Sequence, residues 1–234
     1  MRKLGIIGAM ELEITTLKDT MKIDRIVEKA GMQFYEGQLA DLPCVVVKCG
    51  IGKVNAGICV QILSDLFEVT HIINTGIAGS LNASLDIGEI VVSTGAIQHD
   101  VDVTVFGYAP GQIPGFENRL FSANQEMADI AITACTNANE DIHAIKGLVV
   151  SGDQFISDAQ VKNRIIKEYN ADCVEMEGAS IAQAATLNQI PFIIIRAISD
   201  KADNSAEMDY PTFEREAAKH CANMVLAFAH EFAL

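Results

Sequence analysis

Leu4-Gly5-Ile6-Ile7-Gly8-Ala9-Met10-Glu11-Leu12-Glu13 begins with a short apolar run that stops at a glycine. It then passes at once into residues of helix-forming composition, Glu11 to Leu17. A buried strand feeding a helix through a tight turn is the repeating unit of an α/β fold, and the rest of the chain repeats it. His71 to Gly76, Ile90 to Ser93, Ala144 to Val150, a short run reaching Val174, and Pro191 to Ala197 read as further buried strands. Met32 to Leu39 alternates like a half-exposed strand, and Cys44 to Lys48 is a more buried one after the Asp41-Leu42-Pro43 turn. Between them fall helical segments from Gly52 to about Leu66, Asn124 to Ala138, Asp158 to Tyr169, Ala179 to Leu187, and Thr212 onward. The last carries one apolar stripe through Phe213, Ala217, Cys221, Met224, Val225 and Phe228. Gln98 to Phe121, rich in glycine and proline, has no sustained period and is expected to run over the surface. With no linker or repeat in view, the expectation is a single three-layer αβα domain spanning residues 1–234.

Composition narrows the function. The chain has 31 acidic against 17 basic residues and a formal net charge of -14, which opposes phosphate backbones and anionic membrane surfaces. Neither nucleic acid nor membrane is expected as a partner. Six cysteines lie scattered in apolar stretches without metal-ligand spacing, as buried thiols of a reducing compartment would. The N-terminus runs directly into the first strand without a signal h-region, so the expected location is the cytoplasm.

Chemistry concentrates at strand ends. The glycines of the opening turn lack the third glycine of a dinucleotide fingerprint, and Glu11 is sufficiently explained as a complement to the helix dipole. Glu175 and Glu177 stand at i and i+2 where a strand gives way to a helix, and Ser199-Asp200 closes a strand that has Arg196 embedded in it. A buried arginine demands carboxylate partners. Open α/β sheets bind ligands beyond the carboxyl ends of their strands, where Glu13, Glu175 with Glu177, and Asp200 all fall. Four acids with one arginine, and no spaced His/Cys set, suit proton management around a cationic transition state such as the oxocarbenium ion of glycosidic cleavage. His99-Asp100-Val101-Asp102 is read as a hydrogen-bonded loop rather than a metal site.

These residues bring a family into view. Gly5 to Glu11, Cys49-Gly50-Ile51-Gly52-Lys53-Val54, Asn74-Thr75-Gly76, His99-Asp100 with Phe106-Gly107-Tyr108, Ser151-Gly152-Asp153 with Phe155-Ile156, Val174 to Glu177, and Arg196 to Asp200 follow one another as they do in the 5′-methylthioadenosine/S-adenosylhomocysteine nucleosidases of the purine nucleoside phosphorylase-like superfamily, which the chain resembles almost end to end. The resemblance implies a central mixed, twisted sheet, hydrolysis of the N-glycosidic bond of methylthioadenosine, adenosylhomocysteine and 5′-deoxyadenosine, no cofactor or metal, and a homodimer. It implies Asp200 as general acid at adenine N7 with Ser199 holding it, and Glu13 holding the attacking water with Arg196 and Glu175 nearby. Met176 and Glu177 would take the ribose hydroxyls, Phe155 would stack on adenine, and the Ile156 backbone would read its edge. Gly79 would also line the substrate site. Met10, Ile51, Val103, Tyr210 and Phe213 would form the apolar 5′ pocket, with Phe106 and Pro114 reaching in from a neighbouring subunit.

The chain departs from the family pattern at Leu12, at Ile77 where serine or threonine is common, at Gly178, and at Tyr210, which adds a hydroxyl. Three rival readings stay open: a phosphorylase, which the absence of a cation in the first loop disfavours, a hydrolase of futalosine-type nucleosides, and a nucleoside sensor without turnover.

Overall fold

A computed structural model describes residues 2–139, 141–203 and 206–233. Its strands are β1 (Leu4–Gly8), β2 (Lys22–Lys29), β3 (Met32–Leu39), β4 (Leu42–Lys48), β5 (His71–Ser80), β6 (Ile90–Gln98), β7 (Phe121–Ser122), β8 (Ala144–Ser151), β9 (Cys173–Glu175) and β10 (Phe192–Asp200). The helices are α1 (Glu11–Thr20), α2 (Lys53–Phe67), α3 (Gln125–Ala138), α4 (Ala159–Tyr169), α5 (Gly178–Leu187) and α6 (Ala206–Phe232). All the strands belong to one mixed sheet in the order β10-β6-β8-β9-β5-β1-β4-β3-β2, with β7 beside β6. The sheet also curls back on itself, because β10 pairs in parallel with β5 on one edge and antiparallel with β6 on the other. Ile14, Met127, Phe228 and their neighbours on α1, α3 and α6 pack one face, and Val60, Leu63 and Ile181 on α2 and α5 pack the other. The α/β three-layer expectation therefore describes the molecule, and Ile6 and Ile194 show why: fully buried strands covered on both sides read as apolar runs.

Three features differ from the sequence reading. Gly76 does not stop β5, which continues through Gly79 to Ser80. A Cβ at Gly76 would collide with the Arg196 guanidinium and the Glu13 carboxylate, so this glycine marks a close approach inside a strand and not its end. β2 has no counterpart among the expected strands, since its residues are almost all solvent-exposed and charge-rich, as befits an edge strand that must resist further pairing. Finally, α6 starts at Ala206, ahead of Thr212, and carries Pro211 within it. Among the described residues, no helix is long and apolar enough to cross a membrane.

Candidate active site

The carboxyl ends of β1, β5, β9 and β10 meet around a cavity of about 350 Å³ lined by Met10, Glu13, Ile51, Ile77, Gly79, Phe155, Glu175, Met176, Glu177, Ser199, Asp200 and Tyr210, with Ala9, Ala78 and Val174 completing its wall. Each acid is carried there by local structure. Glu13 is the third residue of α1, whose cap position is Met10, without an oxygen to offer. Its own Oε2 takes that part, accepting from the amides of Ala9 (2.6 Å) and Met10 (2.9 Å), while Oε1 accepts from the Ile77 amide across the sheet at 3.1 Å. Ile77 thus serves through its backbone although its side chain is apolar.

Asp200 reaches the cavity through an irregularity in the β10–β5 register between Ile198 and Asp200, which turns the strand end so that Asp200 pairs with Gly79. Its Oδ2 accepts from the Ser199 hydroxyl at 2.8 Å and its Oδ1 from the Ala202 amide at 2.8 Å. Burial nonetheless holds the Asp200 carboxyl above its usual range, so it keeps a proton at higher pH than an exposed aspartate.

Beneath the cavity floor, Arg196 is fully buried and gathers the remaining acids. Its Nη2 donates to Glu175 and, at 2.5 Å, to Asn74 Oδ1, and its nitrogens lie 3.8 Å from Glu177 and 4.0 Å from Glu13. Glu175 also accepts from the Ser151 hydroxyl and from the amides of Glu177 (3.1 Å) and Gly178 (2.8 Å). Asn74, within β5, and Ser151, at the end of β8, are members of this network to which the sequence reading gave no role; each is a polar residue in an apolar strand, which was the available signal. Glu177 accepts from the Gly52 amide at 2.8 Å. Three carboxylates share one guanidinium, and burial raises Glu13 while burial and the adjacent Glu175 push Glu177 up to about 7.

That elevation predicts a pH effect on stability. A carboxyl whose folded pKa lies above its unfolded value favours folding most below the unfolded value, here 4.5, and the contribution is lost as pH rises through about 7. The displacement corresponds to roughly 3 kcal/mol. Glu177→Gln, an isostere of the protonated acid, is expected to melt above the wild type at pH 8 and to become level with it only below the unfolded value of 4.5. A pH-independent difference between their melting curves would contradict a raised Glu177 pKa as the cause.

The other named residues divide clearly. Ile156 is buried in a narrow side recess of the cavity, beside Phe155, Met176 and Asp200. At the cavity mouth the Tyr210 hydroxyl contacts the Met10 sulfur at 3.2 Å, and the Tyr210 ring meets Phe155 edge-on with centroids 5.6 Å apart. Val103 and Phe213 are not among the residues that line the cavity, and Phe106 and Pro114 lie outside it on the surface, Phe106 being 77% exposed. In the His99–Asp102 loop, Asp100 accepts from Lys53 and from the Asp153 amide, and Asp102 from Thr104. Glu11 is engaged by Lys18 and Lys48 away from the cavity.

This geometry can be compared with known proteins. A profile of the phosphorylase superfamily matches residues 3–230. The 5′-methylthioadenosine/S-adenosylhomocysteine nucleosidase of Glaesserella parasuis serovar 5 is 40% identical over 232 residues, covering 99% of this chain and 100% of that protein. The chain belongs to this nucleosidase family. Its fold superposes with a TM-score of 0.95 on the crystal structure of the Neisseria meningitidis nucleosidase in complex with methylthio-immucillin-A, at 37% identity and with 99% and 100% of the two chains covered. A futalosine hydrolase of Helicobacter pylori is also similar, with a TM-score of 0.92, 30% identity and 98% of each chain covered.

Proposed function

We propose that the chain hydrolyses the N-glycosidic bond of 5′-methylthioadenosine and S-adenosylhomocysteine, and of 5′-deoxyadenosine, releasing adenine. The carrying observation is a cavity with four carboxylates, no lysine or arginine among its described lining residues, and a wall that is apolar apart from the Ser199 and Tyr210 hydroxyls. Such a site repels phosphate, so water is the nucleophile that fits it. Asp200, whose burial favours the protonated form, gives its proton to N7 so that adenine leaves neutral. Glu13, pinned by three amides, holds the water on the opposite side of the departing bond, and Arg196 with Glu175 fixes its surroundings. Glu177 accepts from the ribose hydroxyls beside Met176, and Phe155 stacks on the base with the Ile156 backbone at its edge. Met10, Ile51 and Tyr210 take the 5′-thioether; an apolar pocket gains little from a free hydroxyl.

A homodimer completes this reading. Phe106 and Pro114 belong to the surface excursion, which does not reach its own cavity, and Val103 precedes the 3₁₀ turn carrying the 77% exposed Phe106. Six buried free thiols fit a cytoplasmic location.

The test is incubation with methylthioadenosine, adenosylhomocysteine, 5′-deoxyadenosine, adenosine, inosine and a futalosine-type nucleoside, with and without phosphate, following base and sugar products. Adenine and free thioribose are expected, independent of phosphate. Sugar 1-phosphates would defeat hydrolysis, preferential cleavage of the futalosine-type compound would reassign the 5′ pocket, and a monomeric mass would remove Phe106 from the partner's cavity.

A further inference from the structure

The cap position of α2 is Gly52, which has no side chain to cap the helix and makes no such bond. Its first free amide is served from far along the chain: Asp153 Oδ1 accepts from the Lys53 N–H at 2.8 Å. The approach depends on Gly52, where φ is +98° and a Cβ would stand 3.2 Å from that same oxygen. Asp153 is itself held, its own amide donating to Asp100 Oδ2 at 3.0 Å, and Lys53 Nζ returns to Asp100 Oδ1 at 2.6 Å and to Gln98 at 2.9 Å. These bonds close a triangle of Lys53, Asp100 and Asp153 that joins the end of β6, the loop after β8 and the start of α2. One residue before Lys53, the Gly52 amide holds Glu177 Oε1 at 2.8 Å. Lys53 and Asp100 are both largely shielded from solvent, so their pair is stiffer than a surface one, while Asp153 itself is exposed and held by its two bonds.

We infer that Asp153, held by Lys53 and Asp100, is a positioning residue for nucleoside binding that fixes the Gly52 amide and through it the orientation of Glu177 in the cavity. None of the triangle's side chains lines the cavity, so its effect on the ligand passes through Glu177. The inference rests on reading Glu177 as the ribose-binding carboxylate.

A double-variant comparison tests it, with methylthio-immucillin-A as the probe and calorimetric Kd as the readout, so that no turnover is needed. Asp153→Ala is expected to weaken binding about 10-fold in the wild-type background but by less than about 2-fold in Glu177→Ala, because a residue acting through a partner loses its effect once the partner is gone. Asp153→Asn keeps the oxygen that Lys53 N–H needs and is expected to bind within about 3-fold of wild type, which also guards against a variant that fails to fold. Lys53→Met should follow Asp153→Ala. Equal penalties in both backgrounds would overturn the inference alone, as would Asp153→Ala binding like wild type. Glu177→Ala binding like wild type would overturn the ribose reading, and the inference with it.

Discussion

Asp200→Asn is expected to lower kcat on methylthioadenosine by about 10²- to 10⁴-fold, the span that a positioned general acid contributes. The reason lies in what asparagine keeps and loses. Its side-chain oxygen still accepts from Ser199 or from Ala202, and its amide still donates towards a ring nitrogen, but it has no proton to transfer. Adenine must then leave as an anion. The melting temperature is expected to change little, because Asp200 carries a desolvation cost that the neutral amide avoids. On the proposed mechanism the wild-type acid must be protonated, so the rate is expected to fall as pH rises through its elevated pKa, a limb that the variant should lack. Glu13→Gln should lose turnover on a similar scale while keeping the fold. A kcat within tenfold of wild type in either variant would remove that residue from the reaction.

The second large effect concerns Arg196. Arg196→Met strips the guanidinium from Glu13, Glu175 and Glu177, leaving buried carboxylates facing one another, and is expected to cost about 3–5 kcal/mol. For a protein of this size that lowers the melting temperature by about 10 °C. The loss should shrink as pH falls, since protonation relieves the same repulsion from the other side. Arg196→Lys keeps the charge but has one nitrogen where the guanidinium sets Nη2 against Glu175 and Asn74 and Nη1 towards Glu13, so it is expected to recover part of the stability and little of the activity. A drop below about 3 °C for Arg196→Met would show that the carboxylates are not held as described.

The sequence exposed these residues unevenly, for physical reasons. Arg196 within Ile193-Ile194-Ile195-Arg196-Ala197-Ile198 was conspicuous because a charge in a doubly covered strand has no inexpensive explanation, and its position demanded acids elsewhere. Asp200 was legible as the polar end of the same strand. What the residues alone could not supply was distance: that Glu177 is tied to Gly52, or that Asp153 caps a helix begun 100 residues earlier, depends on long-range contacts without a periodic trace. Glycine misled at β5, because the absence of a side chain has the same letter whether it ends a strand or makes room for Arg196 and Glu13. β2 escaped because its exposed, charge-bearing pattern looks like a loop until a neighbouring strand is found for it. The 5′ end remained the least decided part, since apolar side chains such as Phe213 serve core packing and ligand pockets alike.

The double pairing of β10 gives the site an unequal resistance to opening. Ile195 to Ala197 are laddered on both edges, to β5 and to β6, so releasing this strand means parting two ladders at once. Asp200 and Arg196 ride on that strand. Phe155 and Tyr210, by contrast, meet through one edge-on ring contact, and Tyr210 touches the Met10 sulfur; neither contact belongs to a ladder. The charged centre and the aromatic pair beside it thus rest on very unequal numbers of backbone bonds.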